Sequence, residues 1–123
     1  MTKNPFAYVS APGRGGNAAE LNKIREYCRL LYEAGYTPIS PALHFPQFLN
    51  VRVPKERKHA AEMAQSLLRR CRVVVACGPS ITEDMVCDLM LARRLNITAT
   101  TLDGILTIHR QKSTPQEKDK VMN

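Results

Sequence analysis

Two groups of residues have the types and spacing to do chemistry. The first is Tyr8, Ser10 and the run Arg14, Gly15, Gly16 and Asn17 in "YVSAPGRGGN". Glycines between a strand and a helix leave backbone N–H groups free, Asn17 is a good N-cap, and Arg14 adds positive charge, so the segment can hold one phosphate or similar anion. A tight turn with a solvated arginine is the plainer alternative. The second group lies in "TEDMVCDLMLARR", where Thr82 can cap a helix and Asp88 sits on the flank of the apolar stripe Ile81, Met85, Leu89, Ala92 and Leu95. A carboxylate there can point into a cleft at the helix start. The alternative is a partly exposed helix aspartate paired with Arg94 or with a Lys or Arg from a neighbouring element.

The glycines also fit another pattern. Gly13, Gly15 and Ala18 satisfy G-x-G-x-x-A, the fingerprint of a dinucleotide fold. That fold also wants an acid at the end of the next strand for the ribose hydroxyls. No Asp or Glu occurs between Glu33 and Glu56, and no Arg between Glu33 and Arg52 could take a 2′-phosphate instead. A dinucleotide is therefore disfavoured. G-x-x-x-x-G-K-[ST] has no match, which excludes a P-loop.

Metal and redox chemistry have no comparable support. Cys28, Cys71, Cys77 and Cys87 show no C-x-x-C spacing and lie in apolar stretches, so they read as reduced core residues. His44, His59 and His109 are scattered without ligand spacing, so no metal and no cofactor is expected. His44 and Gln47 lie in the loop after the second strand, where they either reach a ligand at the rim or simply pack within the loop. Lys and Arg outnumber Asp and Glu by 18 to 11, which favours anionic partners. With 6% aromatic residues and no recognised motif, nucleic acid is disfavoured as that partner.

These residues need a scaffold, and the pattern supplies one. "FAYVS", "YTPIS", "RVVVACG" and "ITATTL" read as strands, with "GILTIH" a short fifth element. Helices are expected from Asn17 to a stop at Gly35, from Pro54 through "KERKHAAEMAQSLLRRC", and from Thr82 to a stop at Asn96. Residues 41–54, with three prolines, read as a loop. Strands alternating with helices predict a three-layer α/β fold, Rossmann-like and flavodoxin-like, with a parallel sheet of four to five strands and helices on both faces. Residues 1–110 form a single domain in this reading, and 111–123 a polar, mobile tail. No apolar run suits a membrane span or a signal peptide, so a cytoplasmic protein is expected.

The two groups together resemble the nucleoside 2-deoxyribosyltransferase superfamily, including its deoxynucleoside-monophosphate N-glycosidases. "YVSAPGRGG" is similar to the family's first strand and phosphate loop. "TEDMVCDLMLA" is similar to the helix in which a hydroxyl residue precedes a catalytic Glu by six positions and an Ala follows it by four. The resemblance covers residues 6 to about 102 and extends to bacterial and phage members that share a segment like "GYTPISPALHFPQFL".

The resemblance implies N-glycosidase or deoxyribosyltransferase activity on a nucleoside or its 5′-monophosphate. Asp88 would be the carboxylate nucleophile and Tyr8 would align the sugar, while Ser10, Arg14, Gly15, Gly16 and Thr82 would hold the phosphate. It also implies a homo-oligomer with sites near subunit boundaries, for which the apolar "HFPQF" loop is suited. Two positions depart from the family. Asp88 stands where the family has Glu, one methylene longer, and the second acid should fall near Ala64, where the nearest is Glu62. Those departures keep open a non-catalytic protein of the same fold that binds or sequesters a nucleotide.

Overall fold

The computed structural model describes residues 4–13 and 17–122, with the side chains of 113–122 excepted. Strand β1 (Phe6–Ser10) leads to helix α1 (Ala18–Glu33), β2 (Thr37–Ile39), the short α2 (Pro41–His44), and α3 (Pro54–Leu68). Then come β3 (Val73–Ala76), α4 (Glu83–Arg94), β4 (Thr98–Thr101) and α5 (Leu102–Met122). The strands form one parallel sheet in the order β2-β1-β3-β4, with Tyr8 opposite Val74 and Val74 opposite Ala99. The expected three-layer α/β fold is present, with four strands.

The period-2 geometry of the strands sorts the core into two layers. Ala7 and Val9 of β1 with Val73 and Val75 of β3 pack against Ile24 and Leu31 of α1 and Leu102 and Ile105 of α5. Tyr8 and Val74 point the other way, onto Leu68 at the end of α3 and Ala92 of α4. All four β3 residues are buried, because this strand lies inside the sheet and is covered on both faces. Burying each valine or leucine fully stabilises the fold by about 1.5–3 kcal/mol, before the entropy of ordering the chain is set against it.

Local signals set the helix ends. The Asn17 side chain accepts from the Glu20 N–H, and the Thr82 hydroxyl accepts from the Met85 N–H. Asn96, at φ 58°, provides the left-handed stop after α4. Among the described residues no helix is long and apolar enough to cross a membrane.

Four expectations need correction. The proline-rich segment after β2 is partly helical: Ser40 caps α2 with Pro41 in its first turn, and a 3-10 turn spans Phe45–Gln47. The backbone from Leu102 to Met122 is one helix, where the sequence suggested only a short fifth element at "GILTIH"; Gln, Lys and Glu in this stretch are good helix formers. Cys71 and Cys77 are buried, but Cys28 is only half-buried and Cys87 is exposed on α4. Ile81, assigned to the inward stripe, precedes the helix and is exposed.

Candidate functional site

The order of the strands fixes where a cleft can form. After β1 the chain passes into α1 on one face of the sheet, and after β3 into α4 on the other. The crevice at such a switch point, beyond the carboxyl ends of adjacent strands, is where open α/β sheets bind ligands. Ser10 ends β1 opposite Ala76, and the Cys77 N–H donates to the Ser10 carbonyl at 2.8 Å, which extends the pairing to the rim. Beyond it the loops touch. Gly78 has φ 107°, and a Cβ there would lie 2.8 Å from Pro12 Cδ, so backbone conformation and close approach both select glycine.

At the base of this crevice the Ser10 hydroxyl donates to Asp88 Oδ2 at 2.7 Å, joining β1 to α4 across 78 positions of sequence. Ser10 is 2% exposed. Burial pushes the Asp88 carboxyl above the usual carboxylate range; the Ser10 hydrogen bond opposes that rise, and the charge of Asp84 adds to it. Oδ1 has no hydrogen-bond partner among the described residues. Among the described residues Asp88 makes no ion pair with Arg94.

Tyr8 lies two residues before Ser10 on the same face of β1, so its ring enters the layer formed by Leu68, Val74 and Ala92. Burial and the nearby Asp88 carboxylate, together with Cys71, push its hydroxyl far above the usual phenol range. It therefore stays protonated and is a hydrogen-bond donor. Among the described residues it has no hydrogen-bond partner, and no fully buried polar side-chain atom is left unsatisfied. The residue as a whole is 4% exposed.

The remaining candidates are placed as follows. Thr82, at the start of α4, uses its hydroxyl oxygen to accept from the Met85 N–H at 3.3 Å. It stands about 9 Å before Asp88 along the helix, at 1.5 Å per residue. Asn17 caps α1, and its side-chain amide donates to the Glu20 carboxylate. That carboxylate lies against Gly13, where any Cβ would collide with it. Arg14, Gly15 and Gly16 lie outside the described residues. His44 packs its ring against Phe45 and Phe48, and the Gln47 amide donates to the Leu43 carbonyl, so neither is hydrogen-bonded to Asp88. Glu62 is exposed on α3. Among the described residues no group of three or more His, Cys, Asp or Glu could hold a metal ion.

The structure thus brings together Tyr8, Ser10 and Asp88. Reading the sequence put Ser10 beside a phosphate and missed its bond to Asp88. The available signal was the shared face of Tyr8 and Ser10; which helix covers that face is a long-range fact.

A three-layer parallel α/β domain with a partly buried hydroxyl–carboxylate pair at its switch point is the class these features define. The chain belongs to the family described as Domain of unknown function (DUF7768), whose model matches residues 5–102, from before β1 to the start of α5. No curated protein matches the chain significantly.

Proposed function

We propose that the chain is an N-glycosidase or deoxyribosyltransferase-like enzyme that acts on a nucleoside or nucleoside 5′-monophosphate through the Asp88 carboxylate. The observation that carries this reading is the Ser10–Asp88 hydrogen bond at the switch point. It holds one carboxylate oxygen, while the other has no hydrogen-bond partner among the described residues, in a partly desolvated setting. A raised carboxyl pKa beside a specific partner in a crevice is a functional-site signature.

Cleavage of an N-glycosidic bond develops positive charge on the sugar, and a carboxylate beneath the anomeric carbon either stabilises that cation or attacks it. Asp88 Oδ1 would bond to the anomeric carbon as the carbon–nitrogen bond breaks, with the bonding pair leaving on the base. Water, or a second base, would then displace the aspartate ester, and the departing base would take up the proton. The protonated Tyr8 hydroxyl suits donation to the sugar or to Asp88. A 5′-phosphate at residues 14–17 would supply remote binding energy for orienting the sugar. No cofactor or metal enters this scheme.

One feature favours the second reading, a nucleotide-binding protein without chemistry. Ser10 ties the short Asp88 side chain back toward β1, which limits its reach; a misplacement of about 1 Å can reduce a rate about 100-fold. The two are separated by incubating the protein with a panel of nucleosides and 5′-monophosphates and measuring free base by chromatography. Release supports the enzyme. Saturable binding with no release at high protein concentration refutes it in favour of the binding protein.

A further inference from the structure

The outer side of α4 carries apolar side chains that the fold leaves uncovered: Val86 is 42% exposed and Met90 57%, with Ile81 at 55% just before the helix. Together with Leu89, Arg93 and Ile97 they line a groove of about 490 Å³ between α4 and the open edge of the sheet at β4. Contiguous exposed apolar surface of this kind marks an interaction site more often than isolated apolar residues do. The β4 sequence, TATT, has neither charge nor proline to keep another chain away from its unpaired edge.

We propose that this face docks a second copy of the chain across a two-fold axis, with α4 antiparallel to α4 of the second copy. The order of side chains along the helix identifies that occupant. Glu83, Val86, Met90 and Arg93 are spaced by three, four and three residues, which aligns them in one row on the helix surface. The row is its own complement when reversed. About an axis at position 88, Glu83 faces Arg93 of the second copy and Val86 faces its Met90, and the same contacts repeat on the other side. A two-fold interface requires this property: each residue i meets j while j meets i. The acid in the first turn and the base in the last also suit the helix dipole, and in the reversed pairing each meets its opposite charge on the second copy.

Asp88 lies on the sheet side of α4, hydrogen-bonded to Ser10, while Met85 and Ala92 fill the core. The docking surface is therefore argued independently of the proposed activity, and either can fail without the other.

The test is molar mass by light scattering or sedimentation, using the full chain and variants at exposed positions. The parent chain should be a dimer, and Met90→Glu, which places two carboxylates near the axis, should shift it to monomer. Glu83→Arg and Arg93→Glu should each weaken the dimer about tenfold by setting like charges opposite each other. The double reversal E83R/R93E should restore parental affinity, and circular dichroism checks that every variant is folded. A monomeric parent chain overturns the proposal, as does a dimer indifferent to Met90→Glu or a double reversal no better than the singles.

Discussion

Removing the Ser10 hydroxyl perturbs the pairing at the base of the cleft and little else. Ser10 is buried and donates at 2.7 Å to a carboxylate that burial already pushes toward protonation. A hydrogen bond to a charged group contributes about 1.5–3 kcal/mol, and one pKa unit corresponds to about 1.4 kcal/mol. Ser10→Ala should therefore move the Asp88 carboxyl still further above the usual carboxylate range. The sign follows from proton linkage. A carboxyl whose folded pKa exceeds its unfolded pKa holds its proton more tightly in the folded state, so stability is lost as pH rises from the unfolded toward the folded value. The extra loss in Ser10→Ala begins as pH passes the parent's folded value and is complete above that of the variant. At neutral pH the variant should be less stable by about 1.5–3 kcal/mol, and by less at an acidic pH below the parent's folded value, where the carboxyl holds its proton in the folded state of both proteins. Urea unfolding at the two pH values, with carbon-13 NMR titration of the Asp88 carboxyl, reads both effects. An unmoved titration, or the same stability loss at both pH values, would refute the reasoning.

Asp88→Asn keeps the shape and can still accept from Ser10 while removing a partly buried charge, so its urea midpoint at neutral pH should equal or exceed that of the parent. A clear loss of stability would mean that Asp88 is retained for the fold. If base is released, its rate should fall with acidification on a limb centred above the ordinary aspartate value of about 3.9, because the folded carboxyl is raised; a pH–rate profile locates it. Gly78→Ala, at φ 107° and against Pro12, should lower stability by about 1–2 kcal/mol or more, measured as a fall in Tm. Leu68→Ala, which removes the one buried α3 side chain, should cost about 2–5 kcal/mol by chemical denaturation.

How much of this was legible in the sequence depended on whether the information was local. The caps Asn17 and Thr82 and the stops Gly35 and Asn96 act on neighbouring backbone, and they stand in the structure where the sequence reads them. The apolar, β-branched "VVVA" marked the sheet interior for the same reason. Residues 41–47 were misread although Ser40 and Pro41 are ordinary helix-start signals, because three prolines nearby suggested only irregular chain. Periodicity assigned Leu89 and Ala92 inward but could not show that α4 is covered on one side only, which leaves Val86, Cys87 and Met90 exposed. In the site, Tyr8 and Asp88 were selected by residue type and resemblance. Their meeting through Ser10 depends on α4 crossing the end of β1, a packing outcome that no local spacing encodes.

In the proposed function the carboxylate held by Ser10 acts on an N-glycosidic bond. The most direct measurement compares the parent chain with Asp88→Asn for release of free base from a nucleoside 5′-monophosphate panel, at equal protein concentration and neutral pH. The parent should release base and the variant should do so about 100-fold or more slowly, the order expected when a group essential to the chemical step is lost. Equal release from both proteins, or none from the parent at stoichiometric enzyme, would contradict that function.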